Sequence, residues 1–198
     1  ELDPSLPKSP LNESHYAYLA KGQNRPEDDV RKTTLQIKEL GKKVGVEFDF
    51  DQVVTTNTSD ALRLVKIAKK YNKANDAEEL LFKAYFTDGK SVSDREVLID
   101  IAQQLGLSTS EVNEVLDSNT YLDEIKEDMR YSENELQLNY IPFYRFNQKS
   151  IIQGVIEAET YLDILTKAFE DWKSNGVGAN DGDTISGKAC SIDGVCSL

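Results

Sequence analysis

Tyr140-Ile141-Pro142-Phe143-Tyr144-Arg145-Phe146 breaks with everything before it: a short, apolar, aromatic run in a chain otherwise rich in charged helical patterns. Asn147-Gln148-Lys149 reads as a turn, and Ser150-Ile151-Ile152-Gln153-Gly154 is a second short apolar run. Two such runs around a turn predict a β-hairpin. Downstream, Tyr161, Leu165, Ala168, Phe169 and Trp172 recur on one side of a helix from about Glu157 to Lys173. An isolated hairpin is marginal in water. One helix covers only one of its faces, so part of the sheet must be absent or supplied from elsewhere.

Upstream the pattern is helical. Pro26 suits a first helical position, and Glu27, Asp28 and Asp29 complement the helix dipole. Val30, Thr34, Ile37 and Leu40 follow at helical spacing, with Gly41 and Gly45 as stops. Further helices are predicted over Ser59–Tyr71, Asp76–Phe86 and Asn119–Leu136. Two more begin at capping boxes, Ser93-Asp94-Arg95-Glu96 and Ser108-Thr109-Ser110-Glu111. Short connections between amphipathic helices make a compact helical domain. Residues 1–25 carry Pro4, Pro7 and Pro10 and read as an extended arm, with a helical turn at His15-Tyr16-Ala17-Tyr18-Leu19. From Ser174 the chain is rich in Gly, Asn, Asp and Ser and reads as a mobile tail.

The 198 residues carry 23 Lys+Arg against 35 Asp+Glu, a net charge of −12. That balance repels phosphate backbones and anionic lipid, so nucleic acid and membrane are not expected partners. No run approaches the ~20 apolar residues of a membrane span. No basic-then-apolar start suggests a signal peptide. Two cysteines do not make a disulfide framework, and a reducing cytoplasm is the expected compartment.

In order along the chain, several segments resemble one family. Glu1-Leu2-Asp3-Pro4, Thr56-Asn57-Thr58-Ser59-Asp60-Ala61-Leu62-Arg63-Leu64, Leu81-Phe82-Lys83-Ala84-Tyr85-Phe86-Thr87, Val92-Ser93-Asp94-Arg95-Glu96-Val97-Leu98 and Ile141-Pro142-Phe143-Tyr144-Arg145-Phe146-Asn147 resemble the DsbA-like thioredoxin-fold oxidoreductases. The likeness is to the FrnE-type branch, related to 2-hydroxychromene-2-carboxylate isomerases and kappa-class glutathione transferases. It implies an α+β, predominantly helical fold: a helical domain (26–138) inserted in a thioredoxin-like fold whose C-terminal half is 139–173, with an arm (1–25) before it and a tail (174–198) after. Family members begin with a strand, a Cys-x-x-Cys helix and a second strand, about one βαβ-sized unit. Nothing of that precedes Glu1, so the thioredoxin-like fold is expected to be incomplete at its N-terminus, and little redox activity is expected from the cysteines present. Gln137-Leu138 and Val155-Ile156 also depart from the family's pattern.

The resemblance implies a cis bond before Pro142 and a substrate peptide bound along the backbone of Ile141. From sequence alone the bond before Pro142 reads as trans, with Pro142 opening an edge strand. Cys190 and Cys196, spaced Cys-x5-Cys around Gly194, are candidates for a reversible disulfide. The alternative is two reduced thiols in the tail. No metal or cofactor is expected, since two cysteines fall short of the four ligands of a zinc site. Asn57, with Asp60 and Arg63, opens a helix; the isomerase branch implies a glutathione or substrate contact, and the plain alternative is capping plus a surface ion pair. His15, the sole histidine, is expected on the surface or in the arm. Three functions follow: thiol–disulfide exchange with a protein or peptide thiol or disulfide, a glutathione-dependent isomerase or transferase, or a non-catalytic peptide-binding adaptor. A free hairpin edge also predicts a homo-oligomer.

Overall fold

The computed structural model describes residues 3–138, 140–176, 184–186 and 190–191. The chain divides into two compact units, Glu1–Tyr131 and Ser132–Leu198. The first holds α1 (His15–Gln23), α2 (Glu27–Lys43), α3 (Ser59–Lys70), α4 (Ala74–Phe82), α5 (Arg95–Gln104), α6 (Thr109–Leu116) and α7 (Leu122–Arg130). The second holds β1 (Tyr140–Ile141), β2 (Phe143–Phe146), β3 (Ser150–Gln153), α8 (Ala158–Asn175), β4 (Thr184–Ser186) and β5 (Cys190–Ser191).

The first unit is built on two apolar clusters. Leu64, Ile67, Ala68, Ala77, Leu98, Ala102 and Val112 are sealed between α3, α4, α5 and α6. Tyr16, Val30, Phe50 and Val53 form the second, with Leu19, Ile37, Phe48, Tyr85 and Phe86 against them. The arm differs from its expected extended form. Ser14 caps α1 by accepting from the Ala17 N–H, and α1 joins the second cluster through Tyr16, Leu19 and Ala20. The prolines break only what precedes them.

Sequence and structure differ locally where tertiary contacts outrank spacing. Pro26 is the N-cap of α2 and not its first helical residue. Gly41 lies inside α2, where a Cβ would sit 2.7 Å from the Phe48 ring and 2.8 Å from the Val46 carbonyl oxygen. Its missing side chain lets the chain after the helix fold back, and Gly45, at φ +79°, makes that turn. Asp94, not Ser93, caps α5, accepting from the Glu96 N–H at 2.9 Å. Ser93 is held instead by Thr56 at 2.6 Å and by the Lys8 carbonyl. Ser108 caps α6 through the Glu111 N–H as its sequence predicts. α4 runs on into a π-helical turn, Lys83–Thr87, that carries Tyr85 and Phe86 to the aromatic cluster.

The Asp60–Arg63 pair is buried, not a surface pair. Arg63 is 1% exposed. It donates to Asp60 at 2.9 Å, to the Thr120 carbonyl at 2.9 Å, to the Ser118 carbonyl at 2.7 Å and to the Val115 carbonyl. These carbonyls lie at and beyond the C-terminus of α6, where unsatisfied acceptors and the negative end of the dipole collect.

In the second unit β2 and β3 form the expected hairpin, with Phe143 opposite Gln153 and Phe146 opposite Ser150. Asn147 and Gln148 both have positive φ, and Lys149 N–H reaches the Phe146 carbonyl at 3.0 Å. That is the turn whose twist matches a hairpin. The third strand comes from the segment read as a mobile tail. β4 pairs parallel with β3, Ile152 opposite Ile185, so β3 is central and Ile152 is fully buried. β3, α8 and β4 therefore form a parallel crossover unit. Ile164 and Ala168 of α8 are buried, and Tyr161 stands edge-on to the rings of Tyr144 and Phe146 at 5.2 and 5.4 Å. Leu162, Leu165, Phe169 and Trp172 remain exposed. The apolar side of α8 is wider than the described sheet covers.

Candidate functional site

The strand junction at Pro142 gathers the site residues expected in this unit. β1 ends at Ile141, the Ile141–Pro142 peptide bond is cis, and β2 begins at Phe143. The Pro142 carbonyl accepts from the Gly154 N–H at 2.7 Å, which ties the junction to the end of β3. Gly154 has φ +81°, a conformation that side chains rarely adopt. Tyr140 and Ile141 are 47% and 37% exposed.

β5 pairs antiparallel with β1, placing Ser191 opposite Tyr140 and Cys190 opposite Ile141. The structure thus brings three sequence candidates, Ile141, Pro142 and Cys190, into one place. Cys196 lies outside the described residues. The Cys190–Ile141 register was invisible to sequence reasoning. Its signal, a two-residue strand among Gly, Lys and Asp, carries no alternation.

Asn57 belongs to the first unit. It is buried, its side-chain amide donates to the Leu6 carbonyl at 3.0 Å, and its side-chain oxygen accepts from the Ser59 N–H at 2.9 Å. Its own N–H reaches the Pro7 carbonyl at 3.2 Å. These bonds fasten the first residues of the chain to the start of α3.

His15 lies in the arm, where it is half-buried. Its Nδ1 lies 2.9 Å from the Thr55 hydroxyl, and its ring stacks on Phe50 with Tyr85 edge-on, both at 6.3 Å. Burial lowers its pKa from 6.5 to about 4, so the ring is neutral at neutral pH. Burial likewise raises the pKa of the Tyr85 hydroxyl. A histidine held neutral between aromatic rings suits packing better than proton transfer to solvent.

Among the described residues no group of three or more His, Cys, Asp and Glu side chains is placed to hold a metal ion. A cleft in the first unit, lined in part by Lys83, Asp88, Lys90 and Asp100, offers about 80 Å³. Ligand pockets run to roughly 300–1,000 Å³, so this cleft is small for a molecule of glutathione's size. Among the described residues no helix is long and apolar enough to cross a membrane.

Comparison with known proteins supplies the context for this junction. Uncharacterized protein YwbO of Bacillus subtilis (strain 168) is 26% identical over 136 residues, which cover 68% of this chain and 66% of that protein. A crystal structure described as probable DsbA oxidoreductase SCO1869 from Streptomyces coelicolor superposes with a TM-score of 0.78 at 23% identity. It covers 100% of this chain and 81% of that one, a likeness of fold. Residues 11–166 match the DSBA-like thioredoxin domain, through the helices of the first unit, the Pro142 junction and half of α8. The chain is a member of the DSBA-like thioredoxin domain family.

Proposed function

We propose that this chain serves thiol–disulfide exchange on protein or peptide substrates, as part of the FrnE-type branch, and that β1 with Pro142 is where an extended substrate lies. One observation carries the reading: in a DSBA-like domain, the backbone of Ile141 is already paired with an extended segment that places a cysteine opposite it. Strand edges bind extended chains through their own N–H and C=O groups, with little demand on sequence.

The chemistry open to Cys190 and Cys196 is ordinary exchange. One thiolate attacks a sulfur of a substrate disulfide and forms a mixed disulfide, and the released substrate sulfur takes up a proton. The second cysteine attacks the mixed disulfide, closes a Cys190–Cys196 bond and releases the other substrate thiol. Two electrons pass from the pair to the substrate. Little redox activity is expected from this pair alone.

Two measurements test the reading. Titration with a synthetic extended peptide carrying one cysteine is expected to shift backbone amide resonances centred on residues 140–146. Shifts confined to residues 1–131 would overturn the assignment of the binding strand. Insulin reduction by this chain is expected near background and equal in a Cys190→Ser/Cys196→Ser variant. A marked loss in that variant would overturn the expectation of little redox activity from this pair.

A further inference from the structure

The edge that the proposed function assigns to substrate is occupied by the chain itself. β1 has one hydrogen-bonded neighbour among the described residues, and it is β5. The pairing uses the backbone of Tyr140 and Ile141, both of which stay substantially exposed. In an antiparallel pair alternate residues exchange N–H and C=O bonds, so β5 takes up the backbone groups on one side of β1, the side that an added extended peptide would need.

We infer that the tail strand Cys190–Ser191 is an internal pseudosubstrate, which competes with extended peptides for the edge of β1. The inference rests on the reading of β1 as the substrate strand. It adds that access to this strand is regulated by the tail. The geometry supports the role on two counts. The partner runs antiparallel and extended, as a bound peptide would in adding a strand to an edge. It is also tethered nearby, because β4, only a few residues earlier, is paired along β3 of the same unit. A short tether gives an intramolecular segment an effective concentration on the order of millimolar, enough to exclude peptides of modest affinity. A two-residue pairing is correspondingly easy to displace. The tail is thus a filter: it admits peptides that bind β1 better than Cys190–Ser191 does, and it excludes the rest.

The test uses the full chain. In a Ser191→Pro variant, and in a Cys190→Pro/Ser191→Pro variant, proline removes backbone donors from the pairing segment and leaves β4 intact. The synthetic cysteine-bearing peptide is titrated into the native chain, both variants and a Ser191→Ala control. The expected result is a Kd lower by about tenfold or more in the proline variants, with the control unchanged. A synthetic peptide of residues 184–198, added in trans, is expected to compete for the freed edge and reverse the gain. Hydrogen exchange at Tyr140 and Ile141 is the second readout and is expected to quicken in the proline variants only. Peptide binding with equal Kd in all four chains would overturn the pseudosubstrate role. Faster exchange with no peptide bound in any variant would overturn instead the reading of β1 as a substrate strand.

Discussion

Arg63 shows how a residue that reads as one half of a solvated ion pair becomes structural. A guanidinium has five donors and no acceptor, and burying it requires acceptors on several sides. Asp60 supplies charge, and the carbonyls of Val115, Ser118 and Thr120 supply the rest. An Arg63→Ala variant leaves the three carbonyls without that donor and Asp60 with Lys8 as its cation, and is expected to lose about 3 kcal/mol of stability in urea unfolding. A lysine ammonium cannot reproduce the planar fork, so Arg63→Lys is expected to recover only part of the loss. The sequence showed the i, i+3 pair but not its depth, because the other partners of Arg63 lie more than fifty residues away. His15 carries the clearest pH signature. Its pKa stands at about 4 in the folded chain against an ordinary value of 6.5. Between those values the unfolded chain binds the extra proton, so acid favours unfolding. The contribution of the neutral ring is complete above pH 6.5 and is lost as pH falls toward 4. Urea midpoints measured across about pH 7 to 4 are expected to fall less steeply for His15→Gln than for the native chain. Parallel slopes would show that the ring is not desolvated. Nothing in the flanking sequence announces this burial. It arises from Phe50 and Tyr85, which are remote in sequence and meet His15 only after folding.

Individual elements were legible in proportion to their local information. α2, α3, α5 and α6 follow from helical spacing and terminal charge or capping residues, and the hairpin follows from two apolar runs around a turn. β4 and β5 were missed because they are three and two residues long and owe their existence to β3 and β1. α8 was read correctly as amphipathic but not in its partition. Ile164 and Ala168 are buried, while Leu162, Leu165, Phe169 and Trp172 are 40–61% exposed. A contiguous apolar stripe of this kind favours association. Sedimentation of the native chain is expected to give a mass above the monomer, and a Leu165→Glu/Phe169→Glu variant is expected to return it to the monomer. These positions are exposed, so the substitutions leave the buried side of α8 intact. A native chain that sediments as a monomer would refute the oligomer.

For the whole molecule, the class was readable because segments in order resemble the family, and the match over residues 11–166, which takes in four of the five, bears this out at family level. The candidate site was half legible. Pro142 and Ile141 stand out in sequence, whereas the arrival of Cys190 beside them is a property of the folded second unit. Asn57, read as a ligand contact or as a helix cap, accepts from the Ser59 N–H at the start of α3 and fastens residues 4–7 to it.

The parallel pairing of β4 with β3 changes what it means to shorten this protein. A clone ending soon after α8 looks, on paper, like the same domain trimmed of a low-complexity appendage. It would in fact lack β4, an outer strand of the sheet among the described residues, and bare one margin of Ile152's strand to whatever is nearby. The C-terminal boundary is therefore an architectural choice and not a convenience of expression.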